Sequence, residues 1–225
     1  MIEIEPQGYF ISGSDTDVGK TWVGSQVVSQ LRQLGLTVET RKPAESGCRE
    51  DANGELLTHD AAALQRANGN RESIDRINPH RFRAALAPHR AARLEGRKLM
   101  LEDLLDACER DAADSCLIVE GAGGFYSPLA ENGLNADLAS ALQLPVIIVV
   151  ADRIGAVNQA LMTLEAVASR QLRTAAVVLN QVQAQEDPDM NNAEDLAALS
   201  EVPIFCCDCD GRLPILFSSG HAHSS

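Results

Sequence analysis

The chain has 225 residues, enough for one sizeable core, and 45% of them are hydrophobic against 23% charged, which excludes a disordered chain. Nineteen Lys and Arg against 32 Asp and Glu leave a net charge of −13, so the basic face that nucleic acid or an anionic membrane requires is missing. The longest clean apolar run is Val146–Ala151 and the acidic start at Met1 has no basic leader, which predicts no membrane span and a cytoplasmic chain with its six cysteines reduced.

In chain order, residues 8–12 read as a short strand running into a glycine-rich turn. From Lys20, apolar residues at Val23, Val27, Leu31 and Leu34 keep helical spacing, and Gly35 stands where a helix ends. A second strand is expected over 38–42. The stretch 48–78, rich in Asn, Gly, Asp and Arg, predicts loops around one short helix over Asp60–Ala67. Helices are expected over 84–94 and 100–112, an apolar strand ending in an acid over 116–120, another strand over Val146–Ala151, a helix over 157–169 and a strand over 175–179. Continuous Val, Ile and Leu runs belong to strands buried on both faces. Their alternation with helices predicts an α/β fold, a mostly parallel sheet with helices on both faces. One domain is expected over 1–217, followed by a disordered tail over 218–225. Cys206, Cys207 and Cys209 lack the second Cys/His pair that a zinc site uses, and read as a tail with reactive thiols.

The segment Gly13-Ser14-Asp15-Thr16-Asp17-Val18-Gly19-Lys20-Thr21 follows a strand and opens a helix, which is the setting of a phosphate-binding loop and makes the fold P-loop NTPase-like. Gly19 lets the backbone approach a phosphate. Successive N–H groups and the positive helix end hold the anion, Lys20 neutralises the β and γ oxygens, and Thr21 offers a hydroxyl to Mg²⁺. Five residues, not the usual four, separate Gly13 from Gly19. Glu120 ends an apolar strand before Gly121-Ala122-Gly123-Gly124, at the sheet edge where such folds bind ligands. With Thr21 and Asp60 it makes a coherent hard-oxygen set for Mg²⁺, although Asp60 alone reads equally well as a carboxylate on a helix dipole. Lys42 closes a strand expected beside the phosphate strand and would point into the same crevice. Glu45 adds a negative charge there, either for a substrate ammonium or facing solvent.

Together these residues resemble the dethiobiotin synthetase family over about 8–182, most of the chain. The anchors are Ser12 to Thr21, Arg41-Lys42-Pro43-Ala44-Glu45-Ser46-Gly47, Asp60-Ala61, Asn78-Pro79-His80-Arg81-Phe82, Ala87-Pro88-His89, Glu95-Gly96, Val119 to Gly124 and Leu144-Pro145-Val146-Ile147. The resemblance implies an ATP-dependent cyclo-ligase of biotin biosynthesis. Its substrates would be 7,8-diaminopelargonic acid, CO₂ or bicarbonate, and ATP, with Mg²⁺ as cofactor. It implies Lys42 and Lys20 as the catalytic cations, and Thr16, Lys42, Ser46 and Asn158 as substrate contacts. Asp17, Val18, Gly19, Lys20, Thr21, Trp22, Asp60, Glu120, Gly121, Ala122 and Gly123 would meet the nucleotide phosphates, and Asn180 with Gln181 its adenine edge. Thr21, Asp60 and Glu120 would be the metal ligands. The family's homodimer would bring residues 154–158 of a neighbouring subunit to the substrate carboxylate, a helix N-terminus being a natural carboxylate site. Gly211-Arg212-Leu213-Pro214 resembles the family's segment near the adenine. Replacing Lys42 by Ala is expected to spare folding and nearly abolish ring closure.

Two other readings use the same loop. An amidoligase related to cobyrinate diamide synthases needs a glutaminase domain for which there is no room. A regulatory ATPase of the ParA or MinD type often carries a second lysine early in the loop, where this chain has Ser14 to Val18.

Overall fold

The computed structural model describes residues 1–182, 189–207 and 212–217. Cys209, Gly211 and the tail expected over 218–225 lie outside the described residues. The first half contains β1 (Gly8–Gly13), α1 (Lys20–Gln33), β2 (Val38–Arg41), β3 (Ala44–Ser46), β4 (Arg49–Glu50), β5 (Leu56–Leu57), α2 (Asp60–Ala67), α3 (Ile74–Ile77), β6 (His80–Phe82), α4 (Pro88–Leu94) and α5 (Leu101–Ala107). The second half contains β7 (Cys116–Gly124), β8 (Pro128–Ala130), β9 (Gly133–Leu134), α6 (Asn135–Leu142), β10 (Val146–Ala151), α7 (Ala156–Ser169), β11 (Thr174–Asn180), α8 (Asn192–Ala197) and β12 (Ile204–Cys206).

The apolar runs assemble into one parallel sheet of order β12-β11-β10-β1-β7-β2. Every residue of β1 and β10 is buried, as two-sided packing demands. Alternation along each strand divides the apolar side chains into two cores. Tyr9, Ile11, Ile118 and Val149 pack against Val23, Val27 and Leu31 of α1 and Leu64 of α2. Phe10, Val119, Ile148 and Val177 pack on the other face, against Ala91 of α4, Leu104 of α5, Leu138 of α6, Ala160 of α7 and Leu196 of α8. Among the described residues no helix is long and apolar enough to cross a membrane.

Several expectations are corrected. The helix expected over 84–94 begins at Pro88, because proline suits a first helical position and drives the residue before it to extended backbone; Ala87 has ψ 135°. The helix expected over 100–112 stops at Ala107. The N–H groups of Asp111 and Ala112 donate instead to Glu39, at 2.9 and 2.8 Å. The strand expected over 116–120 continues to Gly124. Lys42 does not follow a strand beside β1, since β7 lies between β1 and β2. The cysteine stretch is no simple tail: Cys206 ends the edge strand β12 and Cys207 is buried. The short α3 and α8, and α6 with its eight residues, lie in stretches for which no helix was expected.

One ionic cluster fixes the end of β2. The fully buried Arg41 pairs with Glu39, Glu72 and Asp111. Burial opposes ionisation of Glu39. The N–H groups of Asp111 and Ala112, the Ser115 hydroxyl and Arg41 outweigh it and hold Glu39 below the ordinary 4.5. A carboxylate depressed in the folded state adds stability above its unfolded pKa and loses it as pH falls through the folded value. The melting temperature is therefore expected to fall as pH drops below about 4.5, and Glu39→Gln should shallow that fall in a thermal melt series. An unchanged acid limb in Glu39→Gln would remove the cluster from acid unfolding.

Candidate active site

All strands of a parallel sheet end on the same side, so the turns after β1, β2 and β7 meet there. The turn after β1 is stitched to its neighbours: Ser14 N donates to Val149 O at 2.9 Å, and Phe125 N to Gly13 O at 3.1 Å. Asp17 and Gly19 are left-handed, at φ 57° and 87°. A Cβ on Gly19 would overlap Asn180 Nδ2, which itself donates to Val18 O at 2.9 Å. Lys20 crosses the loop and donates to Asp15 O at 2.8 Å. Burial first, and the charge of Lys42 second, lower the Lys20 pKa to about 8.

Lys42 is buried between two acids. Its ammonium donates to Glu120 Oε1 at 2.7 Å, Asp60 Oδ2 at 2.8 Å and Gly121 O at 3.0 Å, so each of its three protons has an acceptor. Burial disfavours that charge, but Glu120 and Asp60 outweigh it and hold Lys42 protonated, above the ordinary lysine range. Glu120 is 0% exposed, and burial raises its pKa despite Lys42. Asp60 is only half-buried; that burial opposes its ionisation, but Lys42 outweighs it and keeps Asp60 below the usual carboxylate range. Thr21 Oγ1 donates to Glu120 Oε1 at 2.7 Å. Hard oxygens of Thr21, Asp60 and Glu120 thus converge, and Glu120 Oε2 is buried with no hydrogen-bond partner among the described residues. That donor set fits Mg²⁺, which favours a few carboxylate and hydroxyl oxygens completed by phosphate and water.

A side chain that the sequence did not flag shapes the third wall. The Asn135 amide donates to the carbonyls of Ala122, Gly124 and Ser127 at 2.7, 3.2 and 3.2 Å, and its Oδ1 accepts Ala122 N at 3.0 Å. This clamp holds the glycine-rich run in line with β7, and a Cβ on Gly121 would press on Asn135 Oδ1. Glu45 lines the cleft and does not face solvent, correcting one of the two readings made from the sequence. It is 6% exposed and accepts backbone N–H groups at the start of α2.

A cleft of about 550 Å³ is lined by Thr16, Asp17, Gly19, Lys20, Thr21, Trp22, Lys42, Ser46, Asp60, Glu120, Ala122 and Gly123 among the predicted residues, with Glu45 and His59 besides. A recess of about 520 Å³ shares Thr16, Asp17 and Ser46 and adds the more apolar Ala85, Leu86, Ala87 and Pro88. Not every predicted residue reaches the cleft. Val18 sends its side chain into the core, Gly121 contributes a carbonyl, and Asn180 braces the phosphate loop. Gln181 lies outside the lining, and Asn158 is exposed on α7, donating to Met162 Sδ at 3.6 Å.

Comparison with known proteins places the chain in a family. The family model described as an AAA domain matches residues 7–207. The ATP-dependent dethiobiotin synthetase of Vesicomyosocius okutanii is 44% identical over 176 residues, 78% of this chain and 79% of that protein. The one from Anaeromyxobacter dehalogenans is 41% identical over 196 residues, 86% of each chain. The one from Rhodopirellula baltica is 33% identical and covers 94% of this chain and 88% of its own. In fold alone, the chain is similar to the MinC:MinD cell division protein complex of Aquifex aeolicus, with a TM-score of 0.53 at 15% identity over 89% of this chain and 80% of that one. A P-loop sheet with Lys42 caged at its carboxyl edge, and relatives of one name along most of its length, make this chain a member of the dethiobiotin synthetase family.

Proposed function

We propose that this chain is the ATP-dependent ligase that closes the ureido ring of dethiobiotin. One amine of 7,8-diaminopelargonic acid adds to CO₂ and loses a proton, giving a carbamate. A carbamate oxygen attacks the γ phosphorus and the bond to ADP breaks, leaving a carbamic–phosphoric anhydride. The second amine then attacks the carbonyl carbon, expels phosphate, loses a proton and closes the ring.

The observation that carries this reading is the buried Lys42 ammonium beside the phosphate loop. A carbamate is already an anion, so the transfer needs no strong base; it needs two negative partners held together. Lys20 supplies positive charge at the phosphates, and Lys42 supplies it between the phosphates and the carbamate. To donate to substrate, Lys42 must give up one of its three acceptors. Backbone N–H groups of Asp17 to Trp22 line the phosphates, with the run Gly121 to Gly123 beside them, its Ala122 N–H held by Asn135. Thr16 and Ser46 bound the diamine, whose alkyl chain suits the recess at Ala85 to Pro88. Thr21, Asp60 and Glu120 would hold Mg²⁺, which when bound neutralises phosphate charge. Asn180 and Gln181 are assigned to the adenine edge by resemblance. A homodimer would bring Asn158 to a neighbour's cleft; Asn158 and Met162 lie exposed four residues apart on α7, and the exposed Ile154 precedes that helix.

Phosphate release from Mg·ATP by the purified protein is the test. Release is expected only when the diamine and bicarbonate are both present, with an equal yield of cyclic urea. Release that ignores both would replace the ligase by a regulatory ATPase.

A further inference from the structure

Helix α2 starts without a cap of its own. His59 occupies the cap position and its side chain makes no capping hydrogen bond. The free N–H groups of a first turn need acceptors, and Ser, Thr, Asp or Asn normally supplies one. Here the acceptor comes from another element. Glu45 on β3 accepts His59 N at 2.8 Å and Asp60 N at 3.2 Å through Oε1, and Ala61 N at 3.2 Å through Oε2. Bonds from N–H groups to an ionised acceptor are among the stronger ones.

The capped turn carries chemistry. Asp60 is the first residue of α2, and its Oδ2 lies 2.8 Å from Lys42 Nζ. Lys42 follows the end of β2 and Glu45 sits three residues on in β3, while Asp60 arrives on a helix whose first turn touches both. Glu45 also consumes the positive end of α2, which faces a phosphate cleft and would otherwise attract an anion. The helix is thereby committed to delivering a carboxylate.

We propose that Glu45 is a positioning residue: capping α2 from β3, it fixes the Asp60 carboxylate against Lys42. The proposal rests on the roles of Lys42 and Asp60 in the function proposed above. It predicts a selective defect, because the metal-nucleotide side of the cleft loses its alignment while the apolar end of the recess, Ala85 to Pro88, lies outside the capped turn.

Two measurements on the full chain separate the cap from its purpose. In Glu45→Ala, amide exchange at residues 59–61 is expected to quicken by about tenfold. The KM for Mg·ATP should rise by about tenfold, with the KM for the diamine changed less than about twofold. Glu45→Gln keeps the Oε1 acceptor and should recover part of both effects; it also keeps the test open if Glu45→Ala fails to fold. In an Asp60→Ala background, Glu45→Ala should add less than about twofold, since a residue acting through Asp60 has nothing left to position. Unchanged exchange at 59–61 would overturn the cap, and losses that multiply in the double variant would overturn its action through Asp60. Full turnover by Asp60→Ala together with faster exchange in Glu45→Ala would uphold the cap and overturn the assignment of Asp60 that it serves.

Discussion

Lys42→Ala is expected to lower dethiobiotin formation by about 10²–10³-fold, the cost of removing one preorganised charge donor from a reacting oxyanion. It is also expected to lower the melting temperature, which revises the expectation from sequence that folding is spared. Glu120 is wholly buried and would lose its cation, and Gly121 O would lose its donor. Breaking a buried pair costs about 3–5 kcal/mol, or roughly 6–20 °C for a chain of this size. Protonation of Glu120 would trim that cost, since burial already pushes its pKa upward. Assays well below the melting point keep the two effects apart. Trp22, the single tryptophan, lines the cleft, so its fluorescence reports whether ATP still binds. Turnover within about threefold of the parent would remove Lys42 from the mechanism.

Gly19→Ala is expected to raise the Kd for Mg·ATP by about 10²-fold, through displacement of the loop rather than loss of a contact. At φ 87° an alanine is strained by about 1–2 kcal/mol, and its Cβ would overlap Asn180 Nδ2. Relief requires moving either Val18, whose carbonyl Asn180 holds, or the start of α1 with Lys20 and Thr21. Trp22 fluorescence titrated with Mg·ATP reads the change. Adding Asn180→Ala removes the overlap but not the backbone strain. Measured against Asn180→Ala alone, which itself loses the loop brace, Gly19→Ala should cost less affinity, and part of its effect should be recovered. No recovery would mean that backbone conformation alone excludes a side chain at Gly19.

What could be read in advance follows from how far apart the causes lie. The phosphate loop was legible because its glycine, lysine and threonine are contiguous and their chemistry is local. The buried strands were legible because Val146–Ala151 can hide six apolar side chains only inside a sheet. The extension of β7 through Gly121 to Gly124 was not, since glycine weakens a strand and the restraint comes from Asn135 in another element. Glu45 was read as a charge at a substrate site, because nothing nearby in sequence reveals that its partners are backbone amides 14 to 16 residues on. Residues 84–87 carried a helical pattern that the proline at 88 overrode. The place of Lys42 in the crevice was anticipated, but the intervening β7 was not, because strand order is decided by crossovers rather than by succession.

That strand order has a consequence for the birth of the molecule. Thr21 and Glu120 meet across 99 positions of sequence and Lys42 and Glu120 across 78, so the cage closes only after long loops have been gathered. Contacts of such range repay their closure entropy late in folding. A ribosome-bound chain that has not yet emitted β7 already contains its phosphate loop but lacks the acid that anchors Lys42. The lysine and both of its acids come into register only when the sheet they complete is whole.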